Sequence, residues 1–302
     1  MASDLARRWL LGMVVAIAGC ANAVFSAPPA ETGLAERSDG PWLRIRPRYY
    51  RWHVEPGVPW LETNTRHATL DWRVPQAQAA LVLVDVWDRH YLADTEARAE
   101  TIIRERFGPL LAACRQSGLR IIHAPSPPQA MSHPNWVHYA SDKAASGRRS
   151  SWPPAEFRGK TGPYQAYRRP AEPREPELRE LRAGLKIHPL VQPQGDEPVV
   201  ATGEELHRYC EQERVLFLFY AGFNANACIL SRDYGTLEMS RRGYEVILLR
   251  DCTTAMESHT TQSVLGQTEG AVLLLEMFGQ YSLTSPELIT ALNDRGQARL
   301  AP

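Results

Sequence analysis

Three things are missing from this chain of 302 residues: cysteines at paired metal-binding spacings, an excess of charge of either sign, and a second long apolar run. The five cysteines, at positions 20, 114, 210, 228 and 252, suggest neither a zinc knuckle nor a disulfide framework. A pairing among Cys114, Cys210 and Cys252 stays open if the chain reaches an oxidising compartment. Lysine plus arginine and aspartate plus glutamate both count 34, so no net field draws the protein onto nucleic acid, and none is expected as a partner. Beyond the N-terminus no stretch reaches the roughly 18 apolar residues that a membrane span requires. No internal repeat is evident either, which argues against a solenoid.

What the chain does contain is a 44% hydrophobic composition suited to a globular core, behind an N-terminus of a different kind. Arg7 and Arg8 precede the apolar run Trp9 to Ala18, and small residues follow, so residues 1–23 are expected to be an export signal. Ile17-Ala-Gly-Cys20 has the shape of a lipobox, which would leave Cys20 as a lipid anchor, while Ala21-Asn-Ala23 offers an ordinary cleavage site. Arg7-Arg8 also fits a twin-arginine signal. The expected location is therefore periplasmic or membrane-anchored. Residues 24–40 have the composition of a disordered linker, residues 41–75 form an aromatic-rich extension of short extended pieces, and residues 291–302 form a tail.

Between residues 76 and 290 short apolar runs alternate with longer amphipathic ones, the pattern of β-α units. Ala80 to Val84 reads as a strand buried on both faces, ending in Asp85. The pattern then predicts a helix over Thr95–Ser117, strands at Arg120–His123, Pro198–Val200, Val215–Tyr220 and Tyr244–Leu249, helices over Glu204–Glu211, Ala227–Arg242 and Thr261–Phe278, and an edge near Tyr281. A long Pro- and Arg-rich insertion occupies residues 125–195, and its Trp152 and Tyr164 are candidates to roof a pocket. Right-handed crossovers on both faces give an α/β fold with a doubly wound, mostly parallel sheet. Ligands in such sheets sit beyond the carboxyl ends of the strands, which singles out Asp85, His123, residues 222–228 and Asp251, with His123 as a possible pocket-lining residue.

Two of these residues carry nucleophilic chemistry. Cys228 starts a helix after a buried strand, where free N–H groups and the helix dipole would lower the thiol pKa and could receive an oxyanion. As a bare cysteine it could equally be a small core residue. Asp85 closes an aliphatic strand, where a carboxylate is costly without partners or a task, so it suits the role of general base and otherwise that of a turn cap.

Leu81-Val-Leu-Val-Asp85, Tyr220-Ala-Gly-Phe-Asn-Ala-Asn-Ala-Cys228 and Arg242-Gly-Tyr-Glu-Val-Ile-Leu-Leu-Arg-Asp251 occur in an order and spacing that resembles the isochorismatase-like cysteine hydrolases, a superfamily that includes nicotinamidases and N-carbamoyl amino-acid amidohydrolases. The resemblance covers most of residues 78–282. It implies a three-layer Rossmann-like sandwich, Asp85 as base, Cys228 as nucleophile, and a cis peptide within Asn224, Ala225, Asn226 and Ala227 shaping an oxyanion hole. It implies oligomers as well. Where such proteins place a lysine this chain has Ala201 and Thr202, and Lys186, Lys160 and Arg250 are cations that could reach in from elsewhere. His123, His133 and His138 lack the metal-ligand spacing of nicotinamidases, so no metal and no other cofactor is expected. The implied activity is cleavage of a C–N bond in a small amide or ureido substrate through a Cys228 thioester. A vinyl-ether hydrolase would differ only in its pocket lining. The alternative is a member that has lost the lysine and serves as a small-molecule binding or assembly protein.

Overall fold

The computed structural model describes residues 40–139 and 152–294. The expected signal and linker, the centre of the insertion and most of the tail fall outside the described residues. The strands are β1 (Trp42–Ile45), β2 (Arg48–Arg51), β3 (Arg66–Thr69), β4 (Trp72–Pro75), β5 (Ala79–Val84), β6 (Arg120–Ala124), β7 (Phe217–Gly222), β8 (Glu245–Leu249) and β9 (Tyr281–Leu283). The helices are α1 (Ala93–Ile102), α2 (Gly108–Ser117), α3 (Pro127–Met131), α4 (Ala155–Gly159), α5 (Glu175–Ala183), α6 (Gly203–Gln212), α7 (Cys228–Ser231), α8 (Thr236–Arg241), α9 (Gly266–Met277) and α10 (Ser285–Asn293).

A seven-stranded sheet runs β3-β2-β9-β8-β7-β5-β6. The five strands from β9 to β6 are parallel, and β2 and β3 extend that sheet antiparallel, whereas β1 and β4 pair separately. The sheet is therefore mostly parallel, with helices on both faces. Every residue of β5 is buried, and its side chains divide with the period of two that a strand imposes. Leu81 and Leu83 join Phe219 and Ala221 in a core with Ile103, Phe107 and Leu110 beside α1 and α2 and with Leu288 of α10. Ala80, Val82 and Val84 join Leu218 and Tyr220 in a second core with Leu206 of α6, Met239 of α8 and Leu275 of α9. A strand covered on both sides can afford no polar side chain until it ends, which is why Asp85 marks the edge of the sheet.

Three elements differ from their sequence patterns. The long helix after β5 contains a π-helical turn at Ile103–Phe107, directly before Gly108-Pro109. Proline has no N–H to donate and crowds the preceding turn, so the wider turn accommodates it. Pro198–Val200 is only a bridge alongside β6, held by His123 N–H to Pro198 O and Val200 N–H to His123 O, each 2.8 Å. The helix expected over Ala227–Arg242 is broken. Its first piece, α7, ends at Ser231, Arg232 is extended at φ −62° and ψ 155°, and α8 begins only at Thr236. Tyr234 lies within the break; it is wholly buried, donates its hydroxyl to Pro125 O at 3.1 Å, and accepts the Tyr220 hydroxyl at its own carbonyl, outside any helical ladder, at 2.7 Å.

Candidate active site

Gly222 brings the two ends of the site together. A Cβ at this position would lie 1.9 Å from Val84 O, and the φ of +127° is one that side chains rarely adopt. The glycine lets β7 close against the last residue of β5, where Phe223 N–H donates to Val84 O at 2.9 Å. Residues 223–228 then lie beside Asp85, which is itself in the left-handed region at φ +46°. The Cys228 thiol faces the same cavity as the Asp85 carboxylate and feels its charge. Ser126 Oγ, just beyond β6, donates to Asp85 Oδ1 at 3.0 Å, and an Arg232 Nη donates to Asp85 Oδ2 at 3.2 Å and also to Ser126 Oγ.

Arg232 is the cation of this site, and the sequence pattern hid it inside a presumed helix. Its backbone turns away from α7 at the break, and the next residue, Asp233, accepts Gly203 N–H at 2.9 Å. Gly203 is needed there, because a Cβ would lie 1.9 Å from Asp233 O. Lys186, Lys160 and Arg250 form no ion pair with Asp85, whose cationic partner is Arg232. Lys186 pairs with Asp88 through its backbone, Lys160 stands over the Phe157 ring, and Arg250 contacts Ser282 and Glu287. Ala201 and Thr202 have a structural task of their own. Both N–H groups donate to Glu205, and the Thr202 side chain accepts Glu205 N–H, forming a capping box at the start of α6.

The electrostatics differ from those of an exposed helix N-terminus. Burial pushes the Asp85 carboxyl up, against the opposing pull of Arg232, Cys228 and Ser126. The Cys228 thiol is pushed up to about 12, first by burial and then by the Asp85 charge, with Arg232 working the other way. The expected lowering by the helix dipole is not found, because α7 has only four residues and the thiol is half-buried beside an anion. Burial also works against the Arg232 cation, but Asp85 outweighs it and the guanidinium is held firmly charged. At neutral pH the thiol therefore keeps its proton, beside a carboxyl whose charged form Arg232 favours and burial opposes. This is a proton-transfer pair, not a preformed thiolate.

A cavity of about 800 Å³ opens on Cys228, Asp85, Ser126 and Arg232. Trp87, His90, Tyr91, Phe223, Asn224 and Met256 form much of its wall. The insertion covers it through Leu181, Arg182 and Leu185, at and just after α5. Its return strand is stitched to the segment after β5 by His188 N–H to Val86 O at 2.9 Å and Asp88 N–H to Lys186 O at 3.0 Å. Trp152 is 74% exposed and lies off this wall, as does Tyr164. His123 is also off it, buried on the far side of β6 with its Nε2 2.9 Å from Glu197 Oε2. Asp251 accepts Ser285 N–H and Oγ at 2.7 Å each, an anchor for α10.

The turn before Cys228 divides its tasks. The cis bond is Phe223–Asn224, one peptide ahead of the stretch in which it was expected. Ala225 N–H donates to Thr254 O and Ala227 N–H to Asn224 O, so neither is free for an oxyanion. Asn226 clamps the Met256 backbone with both ends of its amide. Of the four residues, only Asn224 and Ala227 line the cavity. The Cys228 N–H donates to no acceptor among the described residues. Cys114, Cys210, Cys228 and Cys252 are all free thiols. Among the described residues no three His, Cys, Asp or Glu side chains converge as metal ligands.

No curated protein matches the chain. Solved structures do. A cysteine hydrolase from Pseudomonas syringae pv. phaseolicola 1448A is 15% identical with a TM-score of 0.46, over 73% of this chain and 95% of that one. An isochorismatase from Pseudomonas putida KT2440 is 16% identical with a TM-score of 0.39, over 70% and 91%. An isochorismatase-like hydrolase from Alkaliphilus metalliredigens is 15% identical with a TM-score of 0.41, over 72% and 97%. The isochorismatase domain model matches residues 79–276, a span that begins at β5 and includes Asp85, Cys228 and Arg232, and the chain therefore belongs to the isochorismatase-like hydrolase family.

Proposed function

We propose that this protein is a cysteine hydrolase that cleaves a C–N bond of a small amide or ureido compound through a thioester on Cys228. The observation that carries the reading is the convergence of Cys228 and the Asp85–Arg232 ion pair on one cavity. Asp85 takes the thiol proton as Sγ attacks the carbonyl carbon, and the resulting oxyanion meets the unoccupied Cys228 N–H. Asp85 then returns the proton to the departing nitrogen, the C–N bond breaks, and an amine or ammonia leaves. In the second half Asp85 draws a proton from water, hydroxide adds to the thioester, and the acid departs as Sγ recovers its proton. Arg232 keeps Asp85 able to serve as a base in a buried site, the task for which family members use a lysine. The presence of this cation favours an enzyme over a binding protein that has lost its chemistry.

The test is a panel of amide and ureido compounds offered to the wild type and to Cys228→Ala, with intact-mass detection of an acyl adduct. The expected result is an adduct on the wild type and no turnover by the variant. Turnover that survives Cys228→Ala eliminates the proposal. Export belongs to the same reading and rests on residues 1–23. A mature N-terminus at Cys20 carrying lipid mass, or at a residue just after it without lipid, is the expected finding in a membrane and soluble fractionation.

A further inference from the structure

Residues 52–65 join β2 to β3 beyond the last rung of their ladder, Arg51 opposite Arg66. At the centre of this loop lie Pro56-Gly-Val-Pro-Trp-Leu61, six consecutive apolar residues that are all exposed, Trp60 at 68% and Leu61 at 57%. Apolar side chains of this size ordinarily turn back onto a core. Here the contacts of the loop itself hold them out. Val58 N–H donates to Glu55 O at 3.0 Å, Asn64 Nδ2 donates to Pro59 O at 2.7 Å, and the Trp60 ring lies 5.2 Å from that of His53. Pro56 and Pro59 stiffen the tip further. At the root of the loop Trp52 donates its Nε1–H to Met277 O at 3.2 Å, and Phe278, the residue after that carbonyl, is 66% exposed. The apolar surface therefore continues from the loop onto the end of α9.

The neck of the loop is cationic. Arg51 and Arg66 stand opposite each other across the strands, an unfavourable arrangement of like charges unless an anion is shared between them. Glu55 takes Arg51 at 2.6 Å, whereas Arg66 forms no ion pair among the described residues and acts on Glu55 only from a distance. The loop has one other acid, Glu62, and over residues 41–75 six arginines stand against three acids in a chain of zero net charge. Along the loop the order is an apolar tip, tryptophans at 52 and 60, and a cationic neck. The same order of environments runs outward through one leaflet of a membrane, from hydrocarbon to interface to phosphate. A protein partner fits less well, because a stable protein interface engages about 20–30 residues a side and this tip has six.

We infer that residues 56–61, with Trp52 and Phe278 beside them, dock into the surface of an anionic phospholipid membrane while Arg51 and Arg66 meet its phosphates. This goes beyond the hydrolase reading and uses none of its residues. Nor does it need a lipid on Cys20, although the two are compatible, since the chain from Cys20 to Gly40 has a contour of up to about 65 Å and lets the loop reach the membrane that holds the anchor. Two weak attachments joined in this way act as one strong one.

The experiment uses the full chain carrying Leu11→Glu and Val15→Glu, which interrupt the apolar run of the signal so that neither it nor a lipid at Cys20 contributes to binding. This parent is mixed with vesicles of phosphatidylcholine, alone or in equal parts with phosphatidylglycerol. Brominated phosphatidylcholine quenches tryptophans in contact with lipid, and the expected result is a quenched component that the conservative Trp60→Phe lacks. Burial of one large apolar side chain is worth a factor of about ten or more, so Trp60→Ala combined with Leu61→Ala should weaken vesicle binding by about 100-fold while melting with the parent. Arg66→Ala should weaken binding to the mixed vesicles about fivefold and leave binding to phosphatidylcholine unchanged. A parent that binds neither vesicle overturns the inference, as does equal quenching in the parent and Trp60→Phe. A parent that sediments as a dimer, separates into monomers on Trp60→Ala and ignores both vesicles assigns the loop to a second copy of the chain and overturns it likewise.

Discussion

Replacing Arg232 by methionine removes the cation that keeps a buried carboxylate charged. At 3.2 Å and an effective dielectric of about 20, the Coulomb attraction between Arg232 and Asp85 is roughly 5 kcal/mol. The Arg232 side chain is 34% exposed, so water screens part of this and fills part of the vacated volume, leaving about 2–3 kcal/mol. Without that contribution Asp85, already pushed up by burial, holds its proton to higher pH and ceases to accept one from Cys228. At about 1.4 kcal/mol per factor of ten, alkylation of Cys228 by iodoacetamide near neutral pH should slow by roughly 30- to 150-fold. The acid limb of its pH–rate profile should also move to higher pH. Arg232→Lys restores the charge, though not the two-pronged contact to Asp85 and Ser126, and should recover the position of the limb better than the absolute rate. Intact-mass kinetics across pH 5 to 9 measure both quantities in one series. An acid limb unmoved in Arg232→Met refutes the assignment of this residue as the cation of the site.

Three further perturbations separate the parts of the structure. Gly203→Ala drives a Cβ into Asp233 O, so it should displace the bend that carries Arg232, lower the melting temperature through about 1–3 kcal/mol of overpacking, and slow Cys228 alkylation through the shifted Arg232. Glu197 sits between Arg115 and His123, where these partners outweigh burial and hold its pKa down at about 2 against an ordinary 4.5. A depressed carboxylate contributes stability above its unfolded pKa and loses it as pH falls through the folded one, so Glu197→Gln should cost about 3 kcal/mol at pH 7, with the gap to wild type closing between about pH 4.5 and 2 in urea titrations. Asp85 has the opposite sign. Its folded pKa is raised, so the folded state binds that proton more tightly than the unfolded chain, and wild-type stability falls as pH rises above the ordinary 3.8. Asp85→Asn lacks this slope, and melting temperatures should shift in favour of the variant between pH 4 and 8; a constant difference would show that Asp85 is not held in a burial-dominated site.

The parallel strands were legible because burial on both faces leaves only one way to write them. Ala79–Val84, Phe217–Gly222 and Glu245–Leu249 are almost wholly aliphatic or aromatic, and the first and last of them end where a charged residue, Asp85 or Arg250, follows. The strands β2 and β3 were not legible as part of the same sheet. Residues 41–75 read only as an extension of short extended pieces, yet Arg48 and His67 both pair with Glu276, a carboxylate buried in α9 more than 200 residues away. No local pattern contains such a pairing. The broken helix failed for a related reason, because Leu230, Tyr234 and Leu237 recur at helical spacing while Tyr234 is held by hydrogen bonds to Pro125 and Tyr220, which no local pattern contains.

The missing lysine illustrates the difference between a position in sequence and a charge in space. Asp85 needs a positive group within a few ångströms, and any element that delivers one satisfies the requirement. In this chain the start of α6 is closed by the Thr202 and Glu205 capping box, and Ala201 is buried against it, so a lysine there would have to displace a satisfied cap. The next residue, Gly203, instead admits the backbone of Asp233 into contact, and that contact fixes the bend from which Arg232 reaches Asp85. The segment that would supply a lysine thus supports the arginine that acts in its place. Arginine suits the longer reach, since one Nη of its guanidinium holds both Asp85 and Ser126. A reading of motifs alone finds an incomplete site at Ala201 and Thr202, whereas the folded chain completes it from the far side of a helix break.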